Sequence, residues 1–192
     1  MEKDLSSGRK KVVVIGGSAG SLEVILYLLP KINLDLSIPI IIVIHRKASN
    51  DNLLTDLLNS KTKLLVKEAE EKEPLKNGCV YICPPNYHLL IEKDFTLSLD
   101  YSEKINFSRP SIDVTFQSAA DVFKENTVCI LLSGGNNDGT NGLIFTKRKG
   151  GKTIVQNPEN SEVPYMPQHA ILNNCVDLVF NKEELTTYIN SL

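Results

Sequence analysis

The sequence contains no tryptophan, only two methionines, three histidines and four cysteines in 192 residues. Cys79 and Cys83 have three residues between them rather than two, and no second close pair follows. The ligand spacing of a structural zinc site is therefore missing. Cys129 and Cys175 lie in apolar runs, where cysteine acts as a small hydrophobe. These features predict a reduced, cytoplasmic protein without a structural metal. No apolar run approaches the roughly 18 residues of a membrane span, so membrane insertion is not expected. Met1 to Lys11 is polar and lacks the apolar centre of a signal peptide. A net charge of −2 gives no electrostatic case for nucleic acid or an anionic membrane.

What remains is the composition of one globular domain. Residues 1–10 read as a flexible segment and 11–192 as the folded domain. Strands are predicted at 11–15, 39–44, 63–67, 78–83, 127–133, 152–156 and 176–180, several of them nearly continuous in Val, Ile and Leu. Such runs suit strands buried on both faces. Helical patterns at 21–31, 50–60, 111–124, 140–149, 165–172 and 182–191 alternate with them. The alternation predicts an α/β fold, a three-layer doubly wound and mostly parallel sheet with helices on both faces. Residues 88–100 break the alternation and read as a β-hairpin insertion. Glu68 to Glu73 is a charge run ending at Pro74, read as a solvated loop.

Gly16-Gly17-Ser18-Ala19-Gly20 follows the first strand and precedes the first helix. Its G-x-S-x-G spacing is the form that exposes a nucleophilic hydroxyl on a sharp strand-to-helix turn. A glycine-rich or phosphate-binding turn is the competing reading. The stretch does not fit the dinucleotide fingerprint G-x-G-x-x-G, and it lacks the Gly-Lys-Ser/Thr ending of a P-loop. In a doubly wound sheet, sites form beyond the carboxyl ends of the strands. There Ser18 follows the first apolar run, His45 follows Ile40–Ile44, and Asp138 follows Cys129–Leu132 through a Gly/Asn-rich loop. A serine, an imidazole that takes its proton and a carboxylate that fixes the tautomer form a nucleophile–base–orienter set. His88 and His169 are rivals as the base, and each histidine could equally be structural. Asp138 also reads as an N-cap, Asp113 as a first-turn helix residue and Asp177 as a strand-edge residue.

At this point the chain resembles the catalytic domain of the chemotaxis-receptor methylesterases, the CheB family. The matching pieces are Gly16-Gly17-Ser18-Ala19-Gly20, Ile44-His45, Val66-Lys67-Glu68-Ala69-Glu70 and Tyr81-Ile82-Cys83-Pro84-Pro85. Further on come Arg109-Pro110-Ser111-Ile112-Asp113-Val114, Leu132-Ser133-Gly134 through Asn137-Asp138-Gly139, and Gln156-Asn157 followed by Met166-Pro167. The resemblance implies Ser18 as nucleophile, His45 as base and Asp138 as orienter, with 11–192 as a methylesterase-like catalytic domain. It implies hydrolysis of glutamate methyl esters on chemoreceptor cytoplasmic helices without a metal or organic cofactor, with deamidation of certain receptor glutamines as a second activity. Ala19 stands where the best-known members carry threonine, and Gly135 stands near where they carry methionine. Ala19, Gly135 and Asn136 are therefore the expected oxyanion and substrate contacts, on a smaller pocket wall.

Typical members also carry an N-terminal receiver domain. Ten polar residues before the first strand are too few to fold as one. The expectation is a stand-alone domain, with a separate receiver protein or a receptor methyltransferase as further partners. Two other readings compete: a serine esterase of this fold acting on another ester, and a non-catalytic signalling module.

Overall fold

The computed structural model describes residues 11–46, 53–105 and 107–192. The predicted flexible segment 1–10 and the first three residues of the helix expected at 50–60 lie outside them. Nine strands are described: β1 (Val12–Gly17), β2 (Ile40–Ile44), β3 (Leu65–Glu68), β4 (Cys79–Ile82), β5 (His88–Ile91), β6 (Leu97–Asp100), β7 (Thr127–Leu131), β8 (Lys152–Gln156) and β9 (Leu178–Phe180). Six α-helices accompany them: α1 (Ser21–Leu28), α2 (Leu53–Asn59), α3 (Ile112–Phe123), α4 (Thr140–Arg148), α5 (Tyr165–Leu172) and α6 (Lys182–Asn190).

Seven strands form one sheet in the order β3-β4-β2-β1-β7-β8-β9, and every pairing in it is parallel. Alternate strand residues feed two separate cores, as the two-residue side-chain period requires. Val12, Val14, Ile41 and Val43 pack with Phe116 of α3, Leu143 of α4 and Met166 of α5. Val13, Ile15, Ile40 and Ile42 pack with Ile25 of α1, Leu58 of α2 and Leu185 of α6. This is the expected three-layer architecture. β5 and β6 form the expected antiparallel hairpin, which places Leu89, Ile91 and Leu97 in the first core.

The helix expected over 21–31 becomes α1 followed by a 3-10 turn at Leu29–Lys31. Pro30 lies in that turn, where it removes a donor and ends the α-helical ladder. The strand order reverses direction at β1, with β2 on one side and β7 on the other. That reversal opens the crevice in which doubly wound folds place their sites.

Candidate active site

The site grows from the register of the three central strands. Gly17 lies opposite Ile44, and the His45 N–H donates to the Gly17 carbonyl at 3.1 Å. Ser18 and His45 therefore leave neighbouring strands side by side. On the other flank, the Leu132 N–H donates to Gly16 O at 2.8 Å and the Ser18 N–H to Ser133 O at 2.9 Å. The turn then closes as the Ser21 hydroxyl and N–H both donate to Ser18 O, at 2.6 and 3.1 Å.

Two glycines make room for this turn. Gly20 has φ +80°, in the left-handed region that L side chains rarely adopt. A Cβ on Gly134 would stand 2.9 Å from Ser18 Cβ and 2.9 Å from Met166 Cγ. Ser133 ties the loops together: its hydroxyl donates to Ala19 O at 2.7 Å and accepts the Val163 N–H at 2.9 Å. The Ser133 N–H donates to buried Gln156 Oε1 at 2.9 Å.

His45 Nε2 lies 2.7 Å from Asp138 Oδ2. Asp138 is fully buried and accepts four more hydrogen bonds. The Ser111 hydroxyl and the N–H groups of Asp113 and Gly139 reach Oδ1 at 2.9, 3.0 and 3.0 Å. The Ile112 N–H reaches Oδ2 at 2.7 Å. Burial pushes the Asp138 carboxyl up. The hydrogen bond from His45 and the N–H groups of Asp113 and Ile112 outweigh it and hold the group below the usual value. An ionised carboxylate can only accept, so Nε2 of His45 is the donor in this contact.

Asp138 does not cap its own helix. Gly139 occupies the N-cap of α4, and the Asp138 carboxylate instead crosses to the open N–H groups at the start of α3. Asp113 is in the first turn of α3, as expected, yet its carboxylate leaves that helix. It accepts the Gly142 N–H of α4 at 2.7 Å. The two aspartates thus satisfy each other's helix. Burial, and then the charge on Asp138, push the Asp113 carboxyl up to about 6.

The rival histidines have other work. His88 is fully buried; its Nδ1 accepts the Ser111 N–H at 3.0 Å and its Nε2 faces Glu103 O at 3.0 Å. Both ring nitrogens are occupied in the structure around Asp138. His169 Nδ1 meets the Thr140 hydroxyl at 2.9 Å, and its ring stacks on Tyr165. Asp177 accepts the Thr153 N–H and pairs with Lys147 and Lys152 beside β9. The three candidates Ser18, His45 and Asp138 stand at the ends of β1, β2 and the loop after β7.

Among the expected oxyanion contacts, Ala19 and Gly135 are exposed and Asn136 is half-buried. A Cβ on Gly135 would meet only Val163 Cγ1 at 3.6 Å, an ordinary contact, so the missing side chain there is not forced by space. The Asn136 carboxamide turns to His45: its Nδ2 lies 3.3 Å from Nδ1. That contact, and the parts played by Ser111, His88 and Gln156, were not visible in the sequence. Ser111 has the residue type and place of an N-cap, but its hydroxyl makes no cap bond to α3 and goes to Asp138 instead.

Beside His45 opens a cavity of about 440 Å³, with Arg46, Lys104 and Arg109 on its walls and Phe107 at its rim. Arg46 is paired with Glu68. Arg109 donates to the carbonyls of Tyr101 and Ser102 and covers the Tyr101 ring. All four cysteines are buried and free, and no group of three or more potential metal ligands occurs among the described residues.

A parallel sheet with Ser18 and the carboxylate-held His45 following neighbouring strands at its reversal point places the chain among the doubly wound α/β proteins that carry their site at the strand ends. Residues 13–189 match the family model described as CheB methylesterase. The chain belongs to the CheB methylesterase family. A Leptospira interrogans relative is 43% identical over 175 residues, 91% of each chain. The protein-glutamate methylesterase/protein-glutamine glutaminase of Thermotoga maritima is 38% identical over 175 residues, which are 88% of this chain and 50% of that protein. The crystal structure of the Thermotoga maritima CheB methylesterase catalytic domain superposes with a TM-score of 0.91 at 33% identity. That match covers 95% of this chain and 98% of the other.

Proposed function

We propose that the chain is a protein-glutamate methylesterase in which Ser18 is the nucleophile, His45 the base and Asp138 the orienting carboxylate. The contact of His45 with buried, ionised Asp138, next in register to Ser18, is the observation that carries this reading. Ser18 Oγ attacks the ester carbonyl while its proton passes to His45. The Ser18 N–H is committed to Ser133 O. The oxyanion therefore takes its donors from the neighbouring backbone, with the Ala19 N–H in the turn before α1 foremost. His45 returns the proton to the leaving methoxide, methanol departs, and water hydrolyses the acyl-enzyme. A glutamine side chain reaches the same acyl-enzyme with ammonia as leaving group, so deamidation needs no further machinery.

The substrate in this reading is the cytoplasmic helical region of a methylated chemoreceptor. The cationic wall beside His45 suits a helix that carries carboxylates around its ester. Among the described residues no helix is long and apolar enough to cross a membrane. The place of work is the cytoplasm, where those receptor segments lie. A separate receiver protein or a receptor methyltransferase would be a regulatory partner.

Methanol release from methylated receptor fragments, measured against turnover of a p-nitrophenyl ester, tests this function. Ser18→Ala should remove both activities and labelling by a fluorophosphonate probe. Ester turnover without methanol release would instead assign the site to another ester. Unchanged methanol release from Ser18→Ala would refute the proposed nucleophile.

A further inference from the structure

Asn136 lies within reach of the lone pair that the proposed reaction requires, and its orientation is fixed by the backbone. Its Oδ1 accepts the Asp138 N–H at 3.0 Å. A backbone N–H can only donate, so that atom is the oxygen and the other terminal atom is the NH2 group. The NH2 group faces His45 Nδ1 at 3.3 Å. On the far side of the ring, Nε2 is held at 2.7 Å by the ionised carboxylate of Asp138, which can only accept. The proton is therefore on Nε2, and Nδ1 is the acceptor of the Asn136 amide. Nδ1 is also the only ring nitrogen left to receive the Ser18 proton.

We infer that Asn136 is a positioning residue that restrains the base: it occupies the His45 lone pair until Ser18 displaces it. This inference rests on His45 acting as base for Ser18. Among the described residues, the other charged groups around the ring are Arg46, paired with Glu68, and Lys104 and Arg109 on the adjoining cavity wall. Asp113 stands behind Asp138. None of these occupies the Nδ1 lone pair. The restraint acts only on neutral His45, because a protonated Nδ1 has no lone pair for an amide to hold.

That asymmetry gives the pH–rate profile a distinctive form. With the amide removed, the neutral resting state loses a stabilising hydrogen bond, while the protonated resting state and the displaced state lose nothing. The plateau rate must rise, and the midpoint between acid limb and plateau must move to higher pH by the same factor. The two profiles must also merge at low pH. For one hydrogen bond of ordinary net strength the factor is roughly 3- to 10-fold, or about 0.5–1 pH unit.

The test reads the rate at which Ser18 is phosphonylated by a fluorophosphonate. The Ser18 Oγ–P bond forms, the P–F bond breaks, fluoride leaves and the hydroxyl proton goes to His45. Rates are measured from pH 5 to 9 for the wild type, Asn136→Ala and Asn136→Ser. The serine variant keeps an acceptor near the Asp138 N–H but cannot reach His45. A faster plateau, a midpoint displaced by the matching amount and convergence at low pH, in both variants, are expected. Superimposable profiles, or a uniform loss at every pH, would overturn the restraint. Nitrogen-15 spectra of His45 provide a readout independent of reactivity. The wild type should show protonated Nε2 and a hydrogen-bonded, unprotonated Nδ1, and the Nδ1 resonance should move in both variants. A wild type unreactive to the probe would refute the hydrolase reading, and the spectra would then decide the Asn136 contact separately.

Discussion

Asp138→Asn is the sharpest perturbation of the site, because the carboxylate has no spare valence. Three donors converge on Oδ1 and two on Oδ2. An asparagine keeps most bonds by placing its oxygen at the Oδ1 position. Its NH2 group then faces the Ile112 N–H and the His45 ring. One helix N–H is left opposite another donor. His45 must move its proton to Nδ1 if Nε2 is to accept, and that tautomer cannot take a proton from Ser18. Losing two charge-assisted hydrogen bonds of about 1.5–3 kcal/mol each predicts a destabilisation of about 3–6 kcal/mol. For a chain of this size that lowers Tm by roughly 10 °C. The rate should fall on the order of 10³- to 10⁴-fold, the scale of a wrong-tautomer triad. Methanol release and fluorophosphonate labelling at a temperature where the variant remains folded measure the loss. A folded Asp138→Asn chain within tenfold of the wild-type rate would refute the tautomer argument.

Three further outcomes follow. His88→Asn should destabilise by about 1–3 kcal/mol through the lost Ser111 and Glu103 contacts. It should keep labelling at Ser18 within roughly 10²-fold, whereas His45→Asn should lose at least the roughly 10³-fold expected of a base; the reverse order would exchange their roles. Asp113, pushed up to about 6 from 3.8, contributes stability that is lost as pH rises through that window, on the order of a few kcal/mol. Asp113→Asn does not titrate, so its Tm relative to wild type should improve between pH 4 and 7 in thermal scans, and a flat or falling difference would contradict the buried ionisation. Gly134→Ala forces a methyl group against Ser18 and Met166 and should cost about 1–3 kcal/mol together with most labelling. Adding Met166→Ala removes the Met166 crowding but not the Ser18 contact, so reactivity should stay lost, and its recovery would show that only crowding by Met166 mattered.

The parts of the fold carried by repeated local signals were legible in the sequence. Ile40–Ile44 is buried along its whole length, and its continuous apolar run marked it as a central strand. The hairpin at 88–100 was marked by two apolar runs around Glu92-Lys93-Asp94. For the site, proximity to strand ends brought Ser18, His45 and Asp138 forward as candidates. It could not separate His45 from His88, because that difference lies in hydrogen-bond partners 15 and 23 residues away in sequence. The direction of the Asp138 carboxylate was hidden for the same reason. Asp before Gly139 carries a strong local cap signal, while its actual partners at 111–113 depend on how α3 meets the loop after β7. Asn136 looked like an oxyanion contact from its place in the loop. Only the side-chain orientation shows its amide on the imidazole.

The exchange of aspartates between α3 and α4 makes the candidate triad inseparable from that helix pair. Asp138 is held by the start of α3, while α3 sends Asp113 to hold the start of α4. Moving apart the two helices would withdraw the donors that keep the orienting carboxylate charged and aligned. Heating should therefore extinguish reactivity at the same point as tertiary packing, with no inactive but otherwise native stage before it. For transplantation, the smallest useful unit is not three side chains on a sheet edge but β1 and β2 with the turns that follow them, α3, β7, the loop after it and α4 together. A designer who copied Ser18, His45 and Asp138 alone would bury an aspartate with most of its donors left behind.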